Sequence, residues 1–335
     1  MQPTPKDVHI DSALSSISVG YKNPDFIADS VFPIVRVSKQ SDYYYKWLKG
    51  AWFRNEAGVR GPGTRARRGT TPITSALYKC QEYAFGRVVP IETIRNADAP
   101  IRPMQNATMY STRKILLAKE VIASALMVTA ANWTSSEDAA GGWAAGSGNT
   151  FIEDVLAAKE TIRGLIGVYP NTMIMNAGTM VQCKQESTVL DRIKYTGTQG
   201  RPADVTANTL AQLFELDRVL IGSAIYSDAE EVVAGTDFNA VDLWETNAGK
   251  GACWIGYVEP QPAIDTPSAG YCFNWPGDEG IPDVQRAAGG GNPYRTTRYY
   301  YEKDIKSYVV EASEYFDLEL CCADAGFVFY DTEAT

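Results

Sequence analysis

The sequence predicts an α+β fold whose helices and strands gather in different stretches of the chain. Three observations carry that expectation. Gln105 to Ala131 runs without a glycine or a proline, as one long helix would. From Thr150 to about Tyr226, helical and strand patterns alternate. From Gly251 onward, short strand-like runs dominate. No period of about 20–50 residues repeats, which excludes a solenoid.

Composition narrows the class. The chain has 335 residues, 45% of them aliphatic or aromatic, so it can build a real core in two or three packing units or one elaborated domain. A net charge of −9 gives no support to a general nucleic-acid-binding role. The opening, MQPTPKDVHIDSALSS, lacks the apolar run of a signal peptide, and no window is apolar for long enough to span a bilayer. A cytosol-like compartment is expected. Cys80, Cys183, Cys253, Cys272, Cys321 and Cys322 contain no C-x-x-C spacing and read as reduced, partly buried thiols. Cys321 and Cys322 are neighbours in an expected strand, where their side chains would point to opposite faces.

The elements follow in order. The segment to Val37 reads as extended, with prolines at 3, 5, 24 and 33, and ends in a short apolar strand from Phe32. A basic, aromatic stretch from Asp42 to Gly69 comes next, and ALYKCQEYAFGRVVPI alternates like its returning partner. Together they predict one long hairpin or loop over about 38–85. The helix Gln105–Ala131 would be roughly 40 Å long at about 1.5 Å per residue. Arg113, Glu120 and Ser124 form its polar stripe, and its internal charges argue against a transmembrane span. SSEDAAGGWAAGSGN reads as a flexible patch. Thr150 with Glu153 predicts a capping box for the next helix. PNTMIMN is a buried strand, AGTMVQCKQESTVLDRIKY is mainly helical, TANTLAQLFEL is a second capped helix, and DRVLIGSAIY is a strand. ACWIGYV, GYCFNW, TTRYYYEK, SYVVEASEYFDLELCC and GFVFYD complete the strands.

Catalytic patterns are missing. His9 is the one histidine of the chain, which leaves nothing for a Ser-His-Asp or Cys-His site or a histidine-based zinc site. GWAAGSGNT lacks the Lys-Ser/Thr and the preceding strand of a phosphate cradle. The acidic turns GDEGIPD and SDAEE lack calcium-loop spacing. No catalytic residue, cofactor or metal is expected, and a cytosolic α/β hydrolase remains only a remote alternative.

Interaction is the remaining role, and the basic, aromatic stretch points to it. Tyr43, Tyr44, Tyr45, Trp47, Trp52 and Phe53, with Arg54, Arg60, Arg65, Arg67 and Arg68, are the residue types enriched at interface cores and hot spots. Two other readings stand beside an arm lying on another protein. The aromatics could fold back on their own domain, or they could bind single-stranded nucleic acid. The net charge, and the clustering of the arginines after the aromatics, weigh against the second.

The phrases VGYKNPDFIADSVFPIVRVSKQSDYYYKWLKGAWFRNEA, RGPGT, YKCQEYAFGRVVPIETIRNADAP, VLDRIKY, LAQLFELDRVLIGSAIY, TPSAGYCFNW and EYFDLELCCADAGFVFYD, taken in order, resemble the major capsid proteins of tailed bacteriophages. The resemblance spans nearly the whole chain. It implies the coat fold first described for bacteriophage Hong Kong 97. In those terms residues 1–37 form an N-terminal arm and 38–80 an extended loop. Residues 81–149 form a peripheral domain with a spine helix at 105–131, 150–305 an axial α/β domain, and 306–335 strands returning to the peripheral domain. It also implies a structural protein that assembles with itself as pentamers and hexamers into an icosahedral head, built in the host cytoplasm and carried in the virion. The extended-loop residues named above would meet the next subunit. The packaged double-stranded DNA would be touched weakly and non-specifically, with a portal and a separate scaffolding protein as partners and no membrane. No lysine–asparagine cross-link is expected from Lys46 or Lys49, and binding of a decoration protein is left open. An encapsulin-like nanocompartment shell is the alternative within the same fold.

Overall fold

A computed structural model describes residues 23, 26–97, 101–140, 142–143, 149–193, 205–229, 238–246, 250–262, 266–277, 284–286 and 295–333. His9 and most of the two acidic turns lie outside the described residues. The first described elements are a short helix α1 (Ala28–Val31) and strand β1 (Ile34–Arg36), followed by β2 (Ser41–Trp47), α2 (Lys49–Trp52) and β3 (Ile73–Lys79). Strand β4 (Gln81–Pro90) leads through α3 (Ile91–Arg95) into the long helix α4 (Pro103–Val128). Pro103 occupies the first turn, where a missing N–H costs nothing.

The middle of the chain alternates as expected: β5 (Ser135–Asp138), α5 (Phe151–Ile166), β6 (Thr172–Asn176), α6 (Ala177–Gln185), α7 (Ser187–Ile193), α8 (Ala207–Leu213), β7 (Arg218–Gly222), β8 (Ile225–Ser227) and β9 (Ala240–Asp242). Strands then follow one another: β10 (Ala252–Gly256), β11 (Gly270–Asn274), β12 (Val284–Arg286), β13 (Thr296–Glu302), β14 (Ser307–Leu320) and β15 (Gly326–Tyr330).

Two sheets organise the body. The long one has the order β1-β11-β14-β13-β12, with β4 also paired to β14. Phe316 pairs with both Gln81 and Asn274, so β4 and β11 flank β14 from opposite sides. The second sheet has the order β5-β15-β10-β6-β7, parallel at both ends and antiparallel at its centre. All five residues of β6 and of β10 are buried, so neither strand alternates between a buried and an exposed face. Helix α4 packs on β4 and β14 and also touches β10 and β15, joining the sheets.

Side-chain alternation gives the long sheet two different faces. Tyr83, Val89, Val310, Glu314 and Phe316 point toward α4, where Val89 and Val310 share a cluster with Ala107. Phe273 and Tyr315 point the other way, into a cluster with Tyr44 and Tyr78 of the β2–β3 hairpin. The hairpin root and α4 therefore lie on opposite faces of one sheet.

The buried side of α4 repeats every four residues, through Ala107, Ser111, Ile115, Lys119, Ala123 and Met127. Ile115 and Met127 contribute about 1.5–3 kcal/mol each by burial. The expected polar stripe is also largely inside: Glu120 is 0% exposed and Ser124 is 3%. Glu120 accepts hydrogen bonds from the N–H groups of Ile27 (3.1 Å) and Ala28 (2.8 Å) and from the indole of Trp244 (2.8 Å). Lys119 donates to Asp29 and to Glu314 (3.2 Å), and Glu314 also receives Arg295 at 2.8 Å. Burial pushes the Glu120 carboxyl up, and its three donors only partly offset that.

Several local expectations are corrected. Thr150 makes no capping bond; its hydroxyl donates to Asp154 (2.7 Å), and Asn149 instead accepts from the N–H of Phe151 (2.8 Å). The expected flexible patch contains β5, paired in parallel with β15, and a fully buried Trp143 whose indole donates to Asp154. ALYKCQEYAFGRVVPI is two strands, because Cys80 divides the hairpin arm β3 from the sheet strand β4. Cys321 and Cys322 lie just past the end of β14. Residues 26–36, expected as the end of an extended arm, belong to the core, with Val31 and Phe32 buried and β1 in the long sheet. Strand membership also crosses the expected boundaries. β11 to β13 join the long sheet, while β15 returns to the α/β sheet. The second capped helix is as expected, since Thr206 and Thr209 form a reciprocal capping box at the start of α8.

Candidate functional site: the exposed hairpin

Strands β2 and β3 pair from Ser41↔Lys79 to Trp47↔Ile73. Period-two alternation divides their side chains. Tyr44 faces the body, with its ring 5.1 Å from that of Phe273, and Tyr78 stacks on the same ring at 4.7 Å. The root is closed by backbone and side-chain bonds between Gln40 and Cys80 and by the Lys79 N–H, which donates to Asp317 at 2.7 Å. Tyr43 and Tyr45 point outward, 63% and 74% exposed, beside the outward Leu77 and Ile73 of β3.

Past β2 the chain turns through α2. Trp47 meets Trp52 edge to face at 6.0 Å, and the Phe53 ring lies against Gly167, the left-handed cap of α5. Trp52 and Phe53 nevertheless stay 56% and 64% exposed. Lys49 pairs with Asp324, which also accepts from the Thr134 hydroxyl (2.6 Å). These bonds hold the Asp324 carboxyl below its usual range although partial burial works the other way. The tip is a turn at Gly61–Thr64, with Pro62 and then Gly63 at φ +79°, the type II pattern, and with the Thr64 N–H donating to Gly61 at 3.2 Å. Arg54, Arg60, Arg65, Arg67 and Arg68 are all exposed there; Arg54 pairs with Glu56 at 3.2 Å, and the Arg67 guanidinium folds over Gly58.

The expected site residues thus separate. Tyr43, Tyr45, Trp52, Phe53 and the five arginines form an outward surface, whereas Tyr44 and Trp47 pack on their own chain. Ile73, Leu77 and Leu48, each close to half exposed, extend that surface and were missed. Only the cross-strand register reveals Ile73 and Leu77, because neither is distinctive in composition.

Beneath the root lies a titratable group of Tyr44, Asp317, Glu319 and Cys321, with Lys46 donating to the Leu320 carbonyl at 3.5 Å. Burial raises Asp317 and Glu319 and pushes the Cys321 thiol up to about 11 and Cys80 to about 12. All six cysteines are free thiols. Among the described residues no group of three His, Cys, Asp or Glu side chains could hold a metal, and no helix is long and apolar enough to cross a membrane.

No family model matches the chain. It is 24% identical over 331 residues to the major capsid protein of Burkholderia phage BcepMu, a match covering 95% of each chain. Among solved structures, a phage-related protein from Bordetella bronchiseptica superposes with a TM-score of 0.65 at 24% identity, covering 97% of this chain and 98% of that one. The capsid of cyanophage P-SCSP1u superposes at 0.60 with 9% identity, covering 98% and 95%. The fold is the coat fold of tailed phages. An encapsulin complex from Synechococcus elongatus shares the coat fold more distantly, at TM-score 0.50 and 10% identity over 96% and 95% of the two chains. In coat-fold terms the hairpin and α4 are the parts that stand on either side of the long sheet.

Proposed function

We propose that this chain is a major capsid subunit of a tailed bacteriophage, assembling with itself as pentamers and hexamers into an icosahedral head around double-stranded DNA. The observation that carries this reading is the end-to-end likeness to a phage major capsid protein, over 95% of both chains. The hairpin supplies the physical means. Its outward tyrosines, Trp52, Phe53 and arginines are the residue types that anchor interfaces, and its root is fixed to the body by Tyr44 and Tyr78. On this reading the hairpin is the extended loop and lies on a neighbouring subunit. A separate scaffolding protein and a portal would be its assembly partners, and mass action over many weak contacts would hold the shell.

The test is direct. Purified, expressed chain should sediment as capsomers or shells and appear as particles in negative stain, with no covalent ladder on denaturing gels. A monodisperse monomer under assembly conditions, with scaffolding protein supplied, would overturn the reading. The encapsulin alternative has only the more distant superposition in its favour.

A further inference from the structure

The hairpin is held to its own chain at two levels that differ in kind. At the root the contacts are inside: Tyr78 is 6% exposed, Cys80 is buried, and the rings of Tyr44 and Tyr78 pack on Phe273. Farther out, Lys46 reaches the Leu320 carbonyl at 3.5 Å, Lys49 pairs with Asp324, and the Phe53 ring rests on Gly167. Lys49 and Phe53 nonetheless keep more than half of their side-chain surface in solvent. These outer contacts all come from the outgoing arm, β2 and α2, while Ile73 and Leu77 of the returning arm face outward.

The receiving side lies on the α/β body. Gly167 ends α5 in the left-handed conformation, at φ +77°, and a Cβ placed there would stand 3.0 Å from the Phe53 ring. One residue therefore serves as the cap of α5 and as the seat of the ring. Asp324 sits in the short turn Ala323–Ala325, which packs against α5, and it accepts from Thr134 as well as from Lys49. An exposed ion pair and a half-open ring contact are weak and reversible. The residues they restrain, Trp52 and Phe53, are of the type that buries well against another protein.

We propose that Lys49–Asp324 and Phe53–Gly167 form a latch that parks the hairpin on its own subunit, and that docking on a second copy of this chain opens the latch while the root stays shut. The proposal rests on the capsid reading above and adds a control to it. The subunit's own body and its neighbour compete for the same ring. Apparent association is then weakened by the fraction of subunits still latched, so the latch sets the concentration at which assembly begins.

The test substitutions lie on the body, which leaves the hairpin's own surface unchanged. Asp324→Asn removes the ion pair. Gly167→Asn keeps a residue that tolerates the left-handed cap and fills the seat of Phe53. Each should lower the chain concentration at which particles appear in sedimentation by about 2–5-fold, the range an exposed ion pair supports. The charge swap Lys49→Asp/Asp324→Lys should raise it again. The Asp324→Asn effect should shrink as salt rises from about 25 mM to about 300 mM, because the unsubstituted pair is itself screened. Parking is read without assembly, by fluorine NMR of dilute full chain carrying 4-fluorophenylalanine at position 53. Both body variants should move that resonance toward its position in denatured chain. Where Gly167→Asn lowers subunit melting, Asp324→Asn carries the comparison. A threshold that rises in the body variants would place these contacts in the assembled state, and an unchanged threshold or an unmoved resonance would mean no latch; each overturns the proposal. Particles that form with an unchanged threshold defeat only the latch. A resonance that moves in a chain that never forms particles defeats the capsid reading.

Discussion

Lys49 at the hairpin and Lys119 on α4 each meet an aspartate, and there the likeness ends. The Lys49 side chain is 52% exposed beside Asp324, whereas Lys119 is 1% exposed between Asp29 and a fully buried Glu314. A surface pair of the first kind is worth about 0–1 kcal/mol. Breaking a buried pair of the second kind costs about 3–5 kcal/mol, because the surviving charge is left in the interior. The hairpin is therefore fixed to the body chiefly by the Tyr44–Phe273–Tyr78 stack, while Tyr43, Tyr45, Trp52, Phe53 and its arginines stay exposed. On α4 the internal charges Lys119 and Glu120 are consumed within the chain, tying residues 27–29 to the long sheet. Polar and aromatic content alone does not mark an interface; what matters is whether the chain itself satisfies it.

The largest expected effect tests the buried half of this contrast. Lys119→Met should destabilise the unassembled subunit by about 3–5 kcal/mol in chemical denaturation, since Glu314 loses a cation and Asp29 its anchor. A loss below about 1 kcal/mol would mean the network is not a clamp, and the contrast with Lys49 would collapse.

Next comes a pair that divides the hairpin itself. Trp52→Ala should leave the subunit within about 0.5 kcal/mol of its original stability, as other exposed sites do. The same change should weaken association by about 2–4 kcal/mol per contact and sharply reduce particle yield by sedimentation. Tyr44→Ala should do the reverse in its first readout, costing the isolated subunit about 1–3 kcal/mol because its ring packs on Phe273. If Trp52→Ala unfolds the subunit, the outward aromatics belong to its own core after all.

Much of this was legible in advance, for identifiable reasons. The long helix and the buried strand β6 announce themselves through local composition and period, and each lies within two or three residues of its expected bounds. Long-range pairing was not legible. Nothing local to Ser135–Asp138 shows that β15, nearly two hundred residues on, will pair with it and make a strand of an apparently flexible patch. The burial of Glu120 is of the same kind, because its donors come from residues 27, 28 and 244. At the hairpin the residue types were right, but facing was not: three consecutive tyrosines alternate, and only the register sends Tyr44 inward.

A smaller effect is expected at the tip. Arg65→Glu/Arg67→Glu/Arg68→Glu reverses exposed charges, so subunit melting should barely move while particle yield falls. The fall should be greater at about 10 mM salt than at about 150 mM, where the screening length is about 8 Å. Equal loss at both would point to shape or packing as the tip's contribution.

The smallest expected effect concerns pH at the hairpin root. Asp317 and Glu319 are two residues apart on the same face of β14, half buried beneath β2 and β3, with Tyr44, Cys321 and Lys46 around them. Burial raises both carboxyls; the Lys79 N–H opposes this at Asp317, and at Glu319 the neighbouring Asp317 adds to it while Lys46 opposes it. A raised folded-state value means that the folded protein holds these protons more tightly than the unfolded chain does. Their contribution to stability is thus fully present below the ordinary carboxylate value of about 4, and it is lost as pH rises through the raised values. Lowering pH from about 7 toward about 4.5 should therefore strengthen the root, against whatever the rest of the molecule does over that range. Asp317→Asn/Glu319→Gln isolates the contribution by difference: the variant should melt higher than the unsubstituted chain at neutral pH, and the gap should narrow as pH falls. The gap should be small, because both groups keep contact with solvent. Parallel pH profiles would show that the two carboxylates are solvated enough to be indifferent to the hairpin above them, leaving the aromatic stack and the hydrogen bonds of the root to anchor it.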